Sequence, residues 1–285
     1  LHHTFETTCG FITPLTSGCS VVYGRSLKSK EILEDLATCR ATVMCGVPLF
    51  FENMYHSIMR AIHDAPARRR MLFRTMMAAS AAAWQVGAKL GKTVFAPLRR
   101  KAGLDSIRMF VSGGAPLPSE IARFFNLIGF DFLQGYGMTE CSPVVSVNRP
   151  DNIRFGSVGP VLSNIEVRID QADRSGIGEI VLRSEANTRG YRDNPEATSG
   201  LIRDGWLFTG DLGRVHGGRL WITGRRKNVI VSAAGKNIYP EELEEKLAMS
   251  AWVAECVVFG RAKGARQGEE VRAIIVPNLE QLAAE

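Results

Sequence analysis

The stretch IRMFVSGGAPLPSEIARFFNLIGFDFL, residues 107–133, decides the fold of this chain. Its first five residues form a short apolar run, typical of a buried strand, that stops at a pair of glycines. Residues 119–128 have the apolar spacing of a helix, and residues 130–133 form a second apolar run that predicts another strand. Strand, helix and strand in this order predict α/β layering.

The same alternation of helix and strand extends toward the N-terminus. Residues 28–40 and 49–63 predict helices on either side of a short strand at residues 41–45. Residues 71–90 predict a further, Ala-rich helix. Together with the stretch above, these elements predict a layered α/β-sheet subdomain.

From Phe155 onward the pattern changes to short β-rich segments separated by Gly, Asp and Asn. These segments are residues 165–169, 178–183, 214–215 and 220–223, and they predict an antiparallel β subdomain over residues 155–224. A helix at residues 241–248, begun by Pro240, and short strands on either side of it predict the start of a small α+β C-terminal domain. These strands are residues 228–232, 256–259 and 273–276. We therefore expect a large domain over residues 1–226 and a small, incomplete domain over residues 227–285.

The composition is that of an ordinary globular protein. The chain has 285 residues, of which 45% are hydrophobic and 22% charged, which excludes disorder, a collagen-like fibre and a disulfide mini-protein. No apolar run approaches the ~20 residues of a transmembrane helix, and residues 1–10 lack the apolar core of a signal peptide. The six cysteines have neither zinc-site nor disulfide spacing, so we expect reduced thiols and a cytoplasmic protein.

The net charge of +6 is unevenly distributed. Residues 60–108 contain eleven Lys and Arg against two acids, which gives +9 there and −3 in the rest of the chain. Such a segment is typical of a surface that faces nucleic acid, a phosphorylated cofactor or an anionic membrane, or simply of a solvated helix. No aromatic or groove-reading motif accompanies it, so we expect no binding to nucleic acid and a peripheral contact with an anionic membrane.

Two motifs resemble functional sites, but their spacing and surroundings argue against them. Residues 87–93, GAKLGKT, resemble a phosphate-binding loop, but they have one residue too few between the glycines and no strand before them. His2, His3 and Glu6 have no recognised metal-ligand spacing and no third partner nearby. We expect helix at the first motif and no metal at the second.

Two other motifs directly follow predicted strands. Residues 113–116, GGAP, would let the backbone approach a flat ligand closely, although any strand-to-helix turn can have such a sequence. Residues 134–140, QGYGMTE, place an aromatic side chain between glycines and follow it with a hydroxyl and a carboxylate. Tyr136 can stack on a base, Thr139 can bond a phosphate oxygen and Glu140 can hold Mg²⁺. A structural turn would not need these three residues in this order.

Further motifs lie downstream. Asp211 directly follows Gly210, and a carboxylate held in this way suits the vicinal hydroxyls of a ribose. Residues 224–228, GRRKN, put three cations in a row beside the predicted domain boundary, and residues 235–244 combine a glycine turn with a helix start.

This ordered set of motifs resembles the AMP-forming acyl-CoA synthetases, members of the adenylating superfamily that also holds firefly luciferase and the adenylation domains of peptide synthetases. Five blocks carry the resemblance: residues 113–116, 136–140, 190–191 (GY), 209–211 (TGD) and 224–227 (GRRK). Residues 1–6 and the helical insert before Ser112 resemble the long-chain fatty acyl branch in particular.

The resemblance implies a ligase that joins ATP and a carboxylic acid into acyl-AMP and then transfers the acyl group to CoA. It implies ATP, Mg²⁺ and CoA as cofactors, a fatty acid or other carboxylic acid as substrate, and catalytic roles for Thr139 at the α-phosphate and Glu140 at Mg²⁺. The implied nucleotide-binding residues are Gly113, Gly114, Ala115, Gln134, Gly135, Tyr136, Gly137, Met138, Thr139, Asp211 and Arg225. Lys227 would be the hinge of the small domain, Gly235 would line the CoA tunnel, and His3, Val144 and Val145 would line the acyl pocket.

The chain also departs from the family pattern. Asn228 stands where relatives usually have an acid, so the electrostatics of the hinge are expected to differ. The upstream phosphate-binding loop and the C-terminal lysine of relatives do not occur in these residues. We therefore expect a part of a fatty acid–CoA ligase, truncated at both ends and inactive alone. An aryl- or amino-acid-adenylating relative, or a non-catalytic adenylate-binding module, are the alternatives.

Overall fold

A computed structural model describes residues 3–26, 28–232, 236–250, 252–262 and 268–279. The chain forms two compact units: the first contains Leu1–Thr139 and Val147–Phe155, and the second contains Glu140–Ser146 and Gly156–Glu285. The domain boundary expected between residues 226 and 227 falls inside the second unit and stays a prediction.

The first unit is a layered α/β structure, as predicted. Its strands β1 (Val43–Gly46), β2 (Met109–Ser112) and β3 (Asp131–Gly137) lie side by side and run parallel. Its helices are a π-helix at Glu6–Ile12, α1 (Thr13–Thr16), α2 (Ser29–Thr38), α3 (Pro48–His63), α4 (Ala67–Gln85), α5 (Gly91–Val94), α6 (Ala96–Lys101) and α7 (Ser119–Leu127).

The helix predicted over residues 71–90 is wrong at its C-terminal end. Helix α4 starts earlier, directly after Pro66, and ends at Gln85. Gly87 then adopts φ +80°, a left-handed conformation that ends helices. The loop-like motif at residues 87–93 is therefore a turn followed by the start of the short helix α5, with no strand before it.

Four phenylalanine rings form the centre of the first unit. Phe51 of α3 contacts Phe110 of β2 and Phe132 of β3 with ring centroids 5.4 and 4.8 Å apart. Phe125 of α7 stacks on Phe132 at 5.3 Å. All four are at most 1% exposed. These contacts pack α3 and α7 against the face of the sheet on which Phe110 and Phe132 lie.

Asn126 joins helix α7 to strand β3 through a buried amide. Its Nδ2 donates to the carbonyl of Phe132 at 3.1 Å, and its Oδ1 accepts the Phe132 N–H at 3.1 Å. Since Asn126 is only 3% exposed, both main-chain groups of Phe132 depend on it for their hydrogen bonds.

The second unit contains the predicted antiparallel β subdomain. Strand β4 (Val144–Val147) belongs to this unit except for its last residue, Val147, which belongs to the first. A five-stranded antiparallel sheet follows it in the chain. Its strands are β5 (Glu166–Asp170), β6 (Gly178–Arg183), β7 (Ile202–Arg203), β8 (Trp206–His216) and β9 (Arg219–Arg225). The order is β5-β6-β8-β7, with β9 also paired to β8. Helix α8 (Pro195–Leu201) lies between β6 and β7 in the chain. Strand β8 has eleven residues, far more than the predicted residues 214–215.

The end of the chain has the predicted α+β character. After a 3-10 turn at Arg226–Asn228 come β10 (Ile230–Val231), β11 (Asn237–Ile238), α9 (Pro240–Ala248), β12 (Val253–Ala262) and β13 (Glu269–Pro277). Strands β12 and β13 form an antiparallel pair and are longer than predicted, because each provides the pairing partner of the other. Among the helices described, none has the length and apolar character needed to cross a membrane.

We predict that Asn126→Ala lowers the free energy of unfolding by about 2–3 kcal/mol, because it leaves the buried N–H and carbonyl of Phe132 without partners. Urea denaturation measures the change. The control Asn164→Ala truncates an exposed asparagine and should change stability by less than about 0.5 kcal/mol. Equal losses in the two variants would contradict the role of the buried amide.

Candidate functional site

Parallel strands β2 and β3 end at the same edge of the sheet of the first unit. Ser112, the last residue of β2, is the Cα partner of Gln134 in β3. The motif at residues 113–116 and the residues that follow Gln134 therefore begin at neighbouring positions. The carboxyl ends of parallel strands are where α/β proteins bind their ligands.

The loop after β2 requires its glycines. A Cβ on Gly113 would lie 2.9 Å from the Phe5 ring, and Gly114 adopts φ +88°. Gly113 is buried, whereas Gly114, Ala115 and Pro116 are exposed. The loop thus presents main chain and small side chains to solvent, as a flat ligand would require.

The motif at residues 134–139 lies directly beside this loop. The Gln134 amide donates to the carbonyl of Leu117 at 3.3 Å, and its main-chain carbonyl accepts the Asn148 N–H at 2.9 Å. Gly135, Tyr136 and Met138 are half-buried, while Gly137 and Thr139 are exposed. The structure therefore brings the adenine-binding candidates of the two motifs together.

The N-terminal segment reaches the same edge. The Thr4 hydroxyl lies 3.4 Å from the Thr139 hydroxyl, a contact that the sequence analysis missed because the two residues are far apart in the chain. The Phe5 N–H donates to Nδ1 of His3 at 3.2 Å. His3, an acyl-pocket candidate, is thus two residues from the ring that covers Gly113.

In the second unit, Glu140 is held by the Gly190-Tyr191 motif. The Tyr191 phenol donates to Oε1 of Glu140 at 2.6 Å, and the Thr188 N–H donates to the main-chain carbonyl of Glu140 at 2.7 Å. This hydrogen bond, followed by burial, raises the pKa of Tyr191 above its ordinary value. Gly190 has φ +134°, and a Cβ there would clash with the Thr198 side chain. A shallow depression beside the motif is lined by Arg189, Gly190, Tyr191, Arg192, Pro195, Thr198, Ser199 and Ile202.

The Thr-Gly-Asp motif is a bulge in strand β8. Glu179 of β6 pairs with Leu212 and Val181 pairs with Phe208, so residues 209–211 lie opposite a single residue. The Thr209 hydroxyl donates to the carbonyl of Ile180 at 2.8 Å and accepts the Asp211 N–H at 3.0 Å. Gly210 supplies the left-handed conformation with φ +72°. Thr209 thus joins the bulge to β6 and bonds the main chain of Asp211, while Gly210 allows the change of direction between them.

Asp211 and Arg225, both predicted ribose ligands, are partners across strands β8 and β9. Arg225 Nε lies 3.0 Å from Asp211 Oδ1, and the Asp211 side chain is only 9% exposed. An arginine this close forms an ion pair with a nearly buried carboxylate and fixes its orientation.

Glu179 is a supporting residue that the sequence analysis missed. Its Oε1 accepts the Gly210 N–H at 3.0 Å, and its Oε2 accepts from Arg226 at 2.7 Å. Its side chain is 8% exposed. The sequence did carry one signal for this role: Glu179 is an acid inside an otherwise apolar strand. A charge buried in this way needs hydrogen-bond partners.

The remaining candidate residues are those predicted for the hinge, the CoA tunnel and the acyl pocket. Lys227 is exposed in the 3-10 turn at Arg226–Asn228, and Gly235 lies outside the described residues. Val144 is half-buried, and Val145, fully buried, accepts the Leu162 N–H at 2.9 Å. Over the described ranges, no three His, Cys, Asp or Glu side chains cluster as metal ligands. All six cysteines are free thiols.

Comparison with known proteins identifies the family of the chain. The profile of the family described as "AMP-binding enzyme" matches residues 1–192, about two thirds of the chain. The chain belongs to this AMP-binding enzyme family.

Individual members of the family are similar over different shares of the chain. The long-chain-fatty-acid–CoA ligase FadD15 of Mycobacterium tuberculosis is 33% identical over 258 residues, covering 85% of this chain and 42% of FadD15. The feruloyl-CoA synthase of Amycolatopsis sp is 37% identical over 189 residues, covering 64% of this chain and 38% of that enzyme. The crystal structure of ATP-bound MatB from Rhodopseudomonas palustris superposes with a TM-score of 0.71 at 28% identity, covering 97% of this chain and 48% of MatB. The chain thus spans less than half of each of these relatives.

We predict that the bond between Tyr191 and Glu140 makes stability depend on pH. Tyr191→Phe should cost a few tenths to about 1 kcal/mol of unfolding free energy, since the pair is partly exposed. The pKa of Tyr191 is raised in the folded state. The unchanged protein should therefore be more stable than Tyr191→Phe by the full amount below about pH 10, and this advantage should disappear as the pH rises through the folded pKa. Urea denaturation between pH 8 and 11 measures it.

The exposed Tyr23 offers a matched control for this measurement. Tyr23→Phe should change stability by less than Tyr191→Phe at pH 8. A cost for Tyr191→Phe that stays constant from pH 8 to 11 would show that the phenolic proton does not hold Glu140.

Proposed function

We propose that this chain is part of an ATP-dependent fatty acid–CoA ligase that forms acyl-AMP and then acyl-CoA. The similarity to FadD15 supports the long-chain branch, because it extends over 85% of the chain. The feruloyl-CoA synthase is more identical, but over a shorter part of the chain. An aryl-CoA ligase is therefore the second candidate.

The observation that carries this proposal is the cross-strand pair of Asp211 and Arg225. A nearly buried carboxylate held 3.0 Å from a guanidinium suits two adjacent ribose hydroxyls, because its two oxygens accept in a fixed direction. The glycines at Gly113 and Gly114 and the ring of Tyr136 suit the adenine, through close backbone approach and stacking. MatB, solved with ATP bound, supports a nucleotide as the ligand.

The residues of the chain would act mainly by positioning. ATP would supply the adenylyl group, with pyrophosphate as the leaving group, so the residues of the protein would orient the carboxylate and neutralise charge. We assign the α-phosphate to the exposed Thr139 hydroxyl, which the Thr4 hydroxyl approaches. The ordered blocks and this exposure support Thr139 in that role.

Glu140 fits a role at Mg²⁺. Tyr191 occupies Oε1 of the carboxylate, so Oε2 is the oxygen that we assign to the metal. A carboxylate oxygen is a preferred ligand of this hard cation, and the ion would neutralise phosphate charge. The bond from Tyr191 orients the carboxylate for this purpose.

The second half-reaction belongs to the C-terminal residues. We propose Lys227 as the hinge, Gly235 as part of the passage for CoA, and His3, Val144 and Val145 as walls of the acyl pocket. The exposed position of Lys227 in a short turn agrees with a residue that absorbs a change in backbone conformation.

ATP–pyrophosphate exchange in the complete ligase tests the function. We expect exchange with fatty acids and an increase of about tenfold or more in the KM for ATP on Asp211→Asn, since a charged hydrogen-bond acceptor becomes neutral. Asp204→Asn is the control: Asp204 is exposed at φ +48°, a conformation that asparagine also adopts.

The panel of acids decides between the two candidates. Exchange with aromatic acids alone would replace the fatty acid by an aryl substrate. No exchange with any acid, while AMP still binds, would indicate a non-catalytic adenylate-binding protein and overturn the ligase.

We also propose that the protein is cytoplasmic and contacts an anionic membrane through the start of helix α4. Met71 and Leu72 are 72% and 60% exposed there. Arg68, Arg69 and Arg74, also exposed, surround them, and no acid occurs between Asp64 and Asp105. Exposed apolar side chains among arginines are typical of peripheral contact with anionic lipids.

Sedimentation with vesicles tests this contact. We expect binding to vesicles that contain phosphatidylglycerol and a loss of about 100-fold in partitioning when Arg68, Arg69 and Arg74 are changed to Gln, at ~1 kcal/mol per residue. Changing the exposed Arg149, Arg174 and Arg192 to Gln is the matched control. Equal losses in both triple variants, or equal binding to neutral vesicles, would contradict the proposal.

A further inference from the structure

The acidic residue Glu241, near the start of helix α9, contacts the segment of residues 224–228. Its Oε1 accepts the main-chain N–H of Arg225 at 3.2 Å and the side-chain amide of Asn228 at 2.9 Å. One carboxylate oxygen thus holds both ends of the turn that contains Lys227.

Gly224 makes this contact possible. A Cβ at that position would lie 2.5 Å from Oε2 of Glu241, so the carboxylate packs directly against the main chain. Oε2 itself is buried and has no hydrogen-bond partner among the described residues. Glycine at 224 and an acid at 241 therefore fit one another.

The segment is also held from its other side. Arg226 donates to Glu179 at 2.7 Å, and Glu179 accepts the N–H of Gly210 at 3.0 Å. Residues 224–228 therefore lie between two carboxylates, one on strand β6 and one on helix α9. Together they fix the main chain from which the Arg225 side chain reaches Asp211.

Asn228 is the residue that lets Glu241 approach. An amide donates a hydrogen bond to the carboxylate, whereas an aspartate at 228 would place two carboxylates within hydrogen-bond distance. Like charges at that separation repel and disfavour ionisation. Asn228 therefore has a structural counterpart on α9.

We propose that Glu241 is a positioning residue for the nucleotide site, acting through Arg225 and Asn228. It touches no substrate. It fixes the Arg225 main chain so that the guanidinium meets Asp211, and it joins helix α9 to that pair. This inference rests on the proposed role of Asp211 and Arg225 at the ribose.

Exchanging the two side chains tests the inference in the complete ligase. Asn228→Asp should raise the KM for ATP about tenfold with little change in kcat, because it breaks a charge-assisted hydrogen bond that orients a binding residue. Glu241→Gln should have a smaller effect, since its carbonyl still accepts from Arg225. The double variant exchanges the carboxylate and the amide and should recover most of the original KM. Glu242→Gln, an exposed acid on the same helix, is the control.

Hydrogen–deuterium exchange gives a readout independent of activity. Amides of residues 224–228 and of α9 should exchange faster in Asn228→Asp and return to the original rate in the double variant. Faster exchange with an unchanged KM for ATP would overturn the positioning role. Strictly additive effects, with no recovery in the double variant, would overturn the pairing of Asn228 with Glu241.

These outcomes differ from a failure of the proposed function. If the unchanged ligase shows no ATP–pyrophosphate exchange with any acid, the proposed activity fails, but hydrogen–deuterium exchange still reports the pairing. Recovery of slow exchange in the double variant would then support the contact as a structural one and overturn its role at the nucleotide.

Discussion

The parallel register of β2 and β3 places the candidate nucleotide-binding residues of the first unit. Phe110 and Phe132 are partners in that register, and both are buried among the same rings. A slip of one residue would turn Phe132 to the opposite face of β3, away from the rings of Phe51 and Phe125. Asn126 opposes such a slip, because its amide both donates to and accepts from the main chain of Phe132 in this register. The core thus decides where Tyr136 and its neighbours leave the sheet.

In the second unit, the buried carboxylate of Glu179 holds the candidate residues in position. Thr209, Gly210 and Asp211 form a bulge whose main chain cannot pair fully with β6, and Glu179 accepts the N–H that the bulge would otherwise leave unpaired. The same carboxylate accepts from Arg226. A single acid therefore connects the loop that carries Asp211 with the turn that follows Arg225, and it compensates its own burial by doing so.

The sequence predicted those elements whose signals are local. The strand–helix–strand of residues 107–133 has a complete apolar pattern, and its prediction was confirmed. Strand β8 was mostly missed, because Gly210 interrupts the β pattern and only pairing with β6 allows the bulge. The end of α4 was misplaced because periodicity continued past Gly87, whose left-handed conformation ended the helix. Glu179 had no recognisable role, since its partners lie more than thirty residues away in sequence.

Asn228 shows that the residues of a motif and the residues that hold the motif in place have to be considered separately. The resemblance assigns a task to each motif residue, but it does not say what holds that residue in place. Here the support comes from Glu241, thirteen residues along the chain, and a carboxylate at that distance requires a hydrogen-bond donor at 228, which the Asn228 amide supplies. An acid at 228 would require a donor on α9 in place of Glu241. The two positions are therefore physically coupled, so changing either alone alters the turn that presents Arg225 to Asp211.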